Sequence, residues 1–139
     1  MRLLGLTGTM AAALLTAAAP AHAAADTTLT GTVEVIAAIT FSGNVPASAP
    51  ISAEAGFFYD VTGASQNGSV TASVKRSGKT ATVTLHLPYR FTAPENPKLL
   101  GVTLTVTAQT PLASYANISV ELPIPANGAT TIVKLPISI

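Results

Sequence analysis

The sequence predicts one all-β domain, on three observations. Apolar residues recur with period two along most of the chain, no stretch after residue 25 carries a helical repeat, and Pro and Gly punctuate the joins between the alternating runs. Strict alternation places apolar side chains on one face of a strand and polar ones on the other, as in sheets with one buried side.

In chain order, the first alternating run sets Leu29, Gly31, Val33 and Val35 against Thr28, Thr30, Thr32 and Glu34. Phe57, Tyr59 and Val61 alternate with Phe58 and Asp60, which leaves Phe58 exposed if its neighbours are core. Val70, Ala72 and Val74 lead through Arg76-Ser77-Gly78-Lys79 to Ala81, Val83, Leu85 and Leu87; two alternating runs about a short Gly-containing turn read as a β-hairpin. Two further runs centre on Val102 to Ala108 and on Ala116 to Leu122. Asn127-Gly128 is a turn dipeptide, because both residues tolerate positive φ, and Val133, Leu135, Ile137 and Ile139 form the apolar side of the last strand. Pro88 and Pro136 fall within strand patterns, which confines those segments to an edge or a bulge. The expected architecture is an immunoglobulin-like antiparallel β-sandwich of seven to eight strands, with a small β-barrel as the alternative.

The first 23 residues read as a secretory signal peptide that is cleaved. Arg2 gives the charged start, Leu3 to Ala19 the apolar run, and Ala21-His22-Ala23 the small-residue cleavage site. Ala23-Ala24-Ala25 offers a second site, so cleavage follows Ala23 or Ala25. Residues 24–139 form the single domain, exported to the periplasm, the cell surface or the medium. No second long apolar stretch follows, so no membrane span is expected after cleavage.

Without Arg2, six Lys and Arg face six Asp and Glu, and the net charge is near zero. Nucleic acid and anionic membrane both call for a basic surplus, so neither is an expected partner. With no Cys, no disulfide can form, and the fold must stand on its core or on assembly with other chains. One His, no Cys and no Met in residues 24–139 argue against a copper or structural zinc site, and no cofactor is expected. A Ser–His–Asp arrangement would need His86 as its base, yet His86 lies on the polar side of its strand; Glu34 and Glu121 also fall on polar sides, and sequence alone cannot pair them. No catalytic constellation emerges, so the chain reads as a non-enzyme. Asn67-Gly68-Ser69, one of two glycosylation triplets, reads as a turn; Asn117-Ile118-Ser119 lies in a strand.

The run Thr28-Leu29-Thr30-Gly31-Thr32-Val33-Glu34-Val35 has a Gly on its apolar side, which weakens a strand unless another group must approach closely. This segment resembles the N-terminal donor strand of chaperone–usher pilins. The resemblance covers about ten residues; the disulfide and near-terminal Tyr of many pilins are missing. It implies an incomplete sandwich, completed by a neighbour's strand through β-strand addition, with Leu29, Gly31, Val33 and Val35 as the inserting residues. The competing reading makes residues 28–36 the first strand of a self-complete sandwich, an adaptor, inhibitor or ligand-binding module that recognises partners through loops such as Asn44 to Ser52 and Ala93 to Leu99. Either way a protein partner or self-association is expected.

Overall fold

The computed structural model describes residues 26–139 except 62–63, 94–98 and 113. The signal-peptide reading of residues 1–23, both cleavage sites and most of the Ala93–Leu99 loop lie outside the described residues.

Seven strands are described: β1 (Thr27–Thr40), β2 (Ile51–Val61), β3 (Ala64–Ser73), β4 (Thr80–Ala93), β5 (Leu100–Ala108), β6 (Ser114–Leu122) and β7 (Thr130–Ser138). They form a three-stranded sheet in the order β4-β1-β7 and a four-stranded sheet in the order β3-β2-β5-β6. The two apolar faces meet in one core that includes Val33, Val35, Phe57, Tyr59, Leu85, Phe91, Leu104 and Leu135. The fold is therefore an open β-sandwich and not a closed barrel.

Each strand reverses the direction of the one before it. Odd strands start at one end of the sandwich, here the acidic end, and even strands start at the other, the basic end. Odd–even pairs are then antiparallel, as found for β1–β4, β2–β3, β2–β5 and β5–β6. The pairing of β1 with β7 joins two odd strands and is parallel, so the expected all-antiparallel pattern fails at this one place.

Two local expectations are corrected. The runs about Arg76-Ser77-Gly78-Lys79 do not form a hairpin: β3 pairs with β2 and β4 with β1, so the connection crosses between sheets. Gly78 takes φ +62 in a tight turn closed by a Ser77–Thr80 bridge, and the crossing is held elsewhere. Val74 donates its N–H to the Ile51 carbonyl, while the Arg76 guanidinium donates to the Val45 and Pro46 carbonyls and stacks over the Phe41 ring at 4.5 Å. Asn67-Gly68-Ser69 is not a turn either. It runs through β3, where Gly68 sits opposite Phe57 and leaves room for its ring.

Pro88 and Pro136 do lie on edge strands, β4 and β7. Asn127-Gly128 does turn the chain into β7, with Gly128 at φ +79.

Gly31 is paired with Tyr89, and a Cβ there would lie 2.5 Å from Tyr89 Cζ, closer still to its hydroxyl, and 2.7 Å from the Ala129 carbonyl oxygen. Gly31→Ala is expected to destabilise the chain by about 1–3 kcal/mol, the range for overpacking a filled site. Gly43→Ala, at a position open to 4 Å, should change stability by no more than about 0.5 kcal/mol. Urea unfolding followed by circular dichroism distinguishes the two.

Candidate functional site

The N-terminal strand sits at the centre of the three-stranded sheet. β4 pairs with it along its whole length, from Thr27 with Ala93 to Thr40 with Thr80, and β7 pairs with it from Thr32 to Thr40. Val33 and Val35 are fully buried and Leu29 partly so. Gly31 is the point of close approach that its place on the apolar side suggested, since the Tyr89 ring packs over it. The part of β1 that extends past β7 is held by the turn before β7: Thr30 N–H donates to Asn127 Oδ1 at 2.8 Å, and Gly128 N–H donates to the Thr30 carbonyl at 2.7 Å.

Tyr89 belongs to an aromatic cluster at the acidic end of the core. Tyr59 and Phe91 stack with centroids 4.4 Å apart, Tyr89 and Phe91 lie 5.6 Å apart, and Phe57 meets Tyr89 edge-on at 6.3 Å. The Tyr89 hydroxyl is buried with no hydrogen-bond partner among the described residues. Burial pushes its pKa above 10.0, because the charged phenolate is disfavoured there.

The free edge of β4 is partly covered from the other sheet. The Gln66 side-chain amide donates to the Thr92 carbonyl at 2.9 Å and accepts from the Thr92 N–H at 2.8 Å, as a neighbouring strand would. β6 is a terminal strand of the four-stranded sheet, and its inward residues Ala116, Ile118, Val120 and Leu122 are only partly buried.

Of the titratable candidates, His86 and Glu34 are brought together and Glu121 is not. His86 is exposed on the outer face of the three-stranded sheet, opposite Glu34 in the register, with Nδ1 4.0 Å from Glu34 Oε2. Glu121 lies on the outer face of the four-stranded sheet, on the far side of the molecule from Glu34. Among the described residues, no three of His, Asp and Glu gather within reach of one metal ion. No helix among them is long and apolar enough to cross a membrane.

Phe58 points outward, as alternation predicts, and its ring lies over Gly101 of β5. With Asp60, Leu99 and Glu121 it lines a cleft of about 450 Å³ at the acidic end. At the basic end, a second cleft of about 420 Å³ is lined by Asn44, Pro46, Thr110, Pro111, Leu112 and Ser114. Part of the Asn44–Ser52 loop expected to recognise partners therefore does line a cleft. Leu99 ends the Ala93–Leu99 loop expected to be exposed, and Tyr115 falls on the polar side of its alternating strand; both are exposed. Leu112, exposed beyond the end of β5, was not singled out by the sequence. Comparison with family models, with curated proteins and with solved structures finds no match for this chain.

Replacing the orphaned phenol tests the aromatic cluster. Tyr89→Phe removes a buried unsatisfied hydroxyl and is expected to stabilise the chain by about 1 kcal/mol. The wild-type phenol keeps its proton in the folded state after the unfolded chain has lost it, so wild-type stability falls as pH rises past 10.0. The advantage of Tyr89→Phe in thermal melts should stay constant well below pH 10.0 and grow as pH rises past it.

Proposed function

We propose that this chain is an exported, non-catalytic structural or interaction protein, self-complete as one sandwich, that acts through contacts with other proteins. The observation that supports this most is the place of β1. The strand that the pilin resemblance would send into a neighbour is the central strand of its own chain's sheet, paired on both sides. The export step rests on the leader-like first 23 residues, which fit a cleaved signal peptide. The non-catalytic reading rests on Glu121 lying on the opposite outer face from the His86–Glu34 pair, so the three do not gather in one site.

A second reading, a pilin-like surface-fibre subunit assembling by β-strand addition, draws support from the same sheet. Withdrawing β1 would leave β4 and β7 flanking a slot one strand wide, and β1 is joined to the rest of the domain only through residues 41–50. A first strand on one such connection can be exchanged between copies without new contacts. Leu29, Gly31, Val33 and Val35 would then fill a neighbour's slot.

Light scattering after size exclusion, on the chain with and without residues 24–36, separates the two. The self-complete reading expects a cooperative monomer at micromolar concentration, and a truncated or Val33→Asp chain that fails to fold. A ladder of oligomers that survives dilution, with the truncated chain rescued by a peptide of residues 24–36, would establish strand exchange instead.

A further inference from the structure

The two ends of the sandwich differ in charge, and each carries a cleft. At one end the strand termini and connections carry Lys75, Arg76 and Lys79, and residues 41–50, 74–79 and 109–113 hold no Asp or Glu. At the opposite end the described charges are Asp26, Asp60 and Glu121 against one cation, Arg90, so acids outnumber bases there; Glu95 and Lys98 lie outside the described residues. Among the described residues, four of the five large apolar side chains left exposed also sit at these ends: Leu112 and Tyr115 at the basic end, Phe58 and Leu99 at the acidic end.

Leu112 is 88 % exposed, more than any other of these side chains. Its backbone is held, because Thr110 Oγ1 and Ser114 Oγ both donate to its carbonyl, at 3.0 and 3.4 Å. A protruding Leu on an anchored backbone is a knob. The acidic-end cleft offers the complementary hollow, with Phe58 and Leu99 as apolar wall and Asp60 and Glu121 at its rim. At the same end of the sandwich as the knob, the exposed Lys75 and Lys79 supply positive charge of the sign opposite to that rim. Arg76 braces the Val45–Pro46 segment that helps line the basic-end cleft, so charge and knob belong to one surface.

We infer that a second copy of this chain docks end to end on the first, the basic end of one seated on the acidic end of the next, with Leu112 entering the cleft walled by Phe58 and Leu99. Such a contact joins two different surfaces and leaves one of each free, so it propagates as an open row. The end of a four-stranded, two-layer sandwich spans roughly 20 Å by 20 Å, or about 400 Å² per partner. That places the contact in the weak, reversible class. The inference rests on the self-complete reading above and names the partner.

Sedimentation of the purified chain over a concentration series tests it, with Leu112→Asp, Glu121→Lys and a control, Glu54→Lys, in the middle of the four-stranded sheet's outer face. The wild-type and the control should associate reversibly at high concentration, less so as salt screens the ends. Leu112→Asp should weaken association by about tenfold or more, as loss of a central anchor does, and Glu121→Lys by about tenfold, because it sets like charges against each other across the contact. Melting temperatures report that both fold, Leu112 being largely solvated. A mixture of the two variants should form dimers and nothing larger, since each keeps one intact end.

A wild-type chain that stays monomeric at every concentration, variants that associate like wild-type, or a mixture that stays monomeric would overturn the docking. Association that survives dilution and ignores both substitutions would also overturn it; such a result would point to strand exchange, the failure of the self-complete reading itself.

Discussion

The fold depends on a first strand that has two partners. β1 is the strand through which β4 and β7 belong to one sheet. Its inward side chains Val33, Val35, Ala37 and Ile39 run down the middle of the core, all at most 1 % exposed. Take it out, and two strands lose their ladders while the facing sheet loses the centre of its cover. In a chain without cysteine no covalent link stands in for that strand. The turn at Asn127-Gly128 and the last residue reinforce it from the β7 side: Ile139 N–H donates to the Thr40 carbonyl, and Ser42 N–H donates to the Ile139 carbonyl.

A second constraint recurs around the aromatics. Three strand glycines, Gly31, Gly68 and Gly101, each lie directly opposite an aromatic residue on the neighbouring strand: Tyr89, Phe57 and Phe58. In each pair the ring occupies the space a side chain would have taken. Glycine loosens a strand and a large ring needs a flat berth, so the pairing offsets the weakness of one with the bulk of the other. Two of these pairs face the core, where they seat the aromatic cluster at the acidic end. The third faces solvent and forms the wall of the cleft there. Alanines such as Ala37, Ala53, Ala55 and Ala81 fill the rest of the interior with little volume.

Alternation in the sequence shows which side of each strand is buried, and that part of the fold was legible almost residue by residue, from Val33 and Val35 through Phe57 and Tyr59 to Leu135 and Ile137. Partnership was not legible. The runs on either side of Gly78 have the pattern of a hairpin, and nothing in period two reveals that Ser73 and Thr80 belong to different sheets. The tie that separates them, Arg76 to the Val45–Pro46 carbonyls, joins segments 30 and 31 positions apart. Asn67-Gly68 misled for a related reason: the dipeptide is read locally as a bend, while its conformation is set by a ring on β2. Pro88 and Pro136 were readable as edge markers because proline's missing N–H is a property of the residue alone. The glycine of β1 was readable as a close approach, but the identity of the approaching side chain, Tyr89, depended on a register no local pattern contains. Alternation placed Phe58 and Glu121 on outer faces, but that they share a cleft depends on β2 and β6 flanking β5, an order no local pattern contains; the basic-end cleft is lined mostly by residues outside the strands.

The parallel pairing of β1 with β7 has a consequence in time. The residues that close it, Thr30 and Asn127, stand 97 positions apart. Contacts between such distant segments form late, because the entropy of closing the intervening loop must be overcome before any bond rewards it. The first strand to leave the ribosome is therefore among the last to find its full set of neighbours. Until β7 is made, the three-stranded sheet lacks its third member, and β1 has only the β4 side of its ladder to hold it.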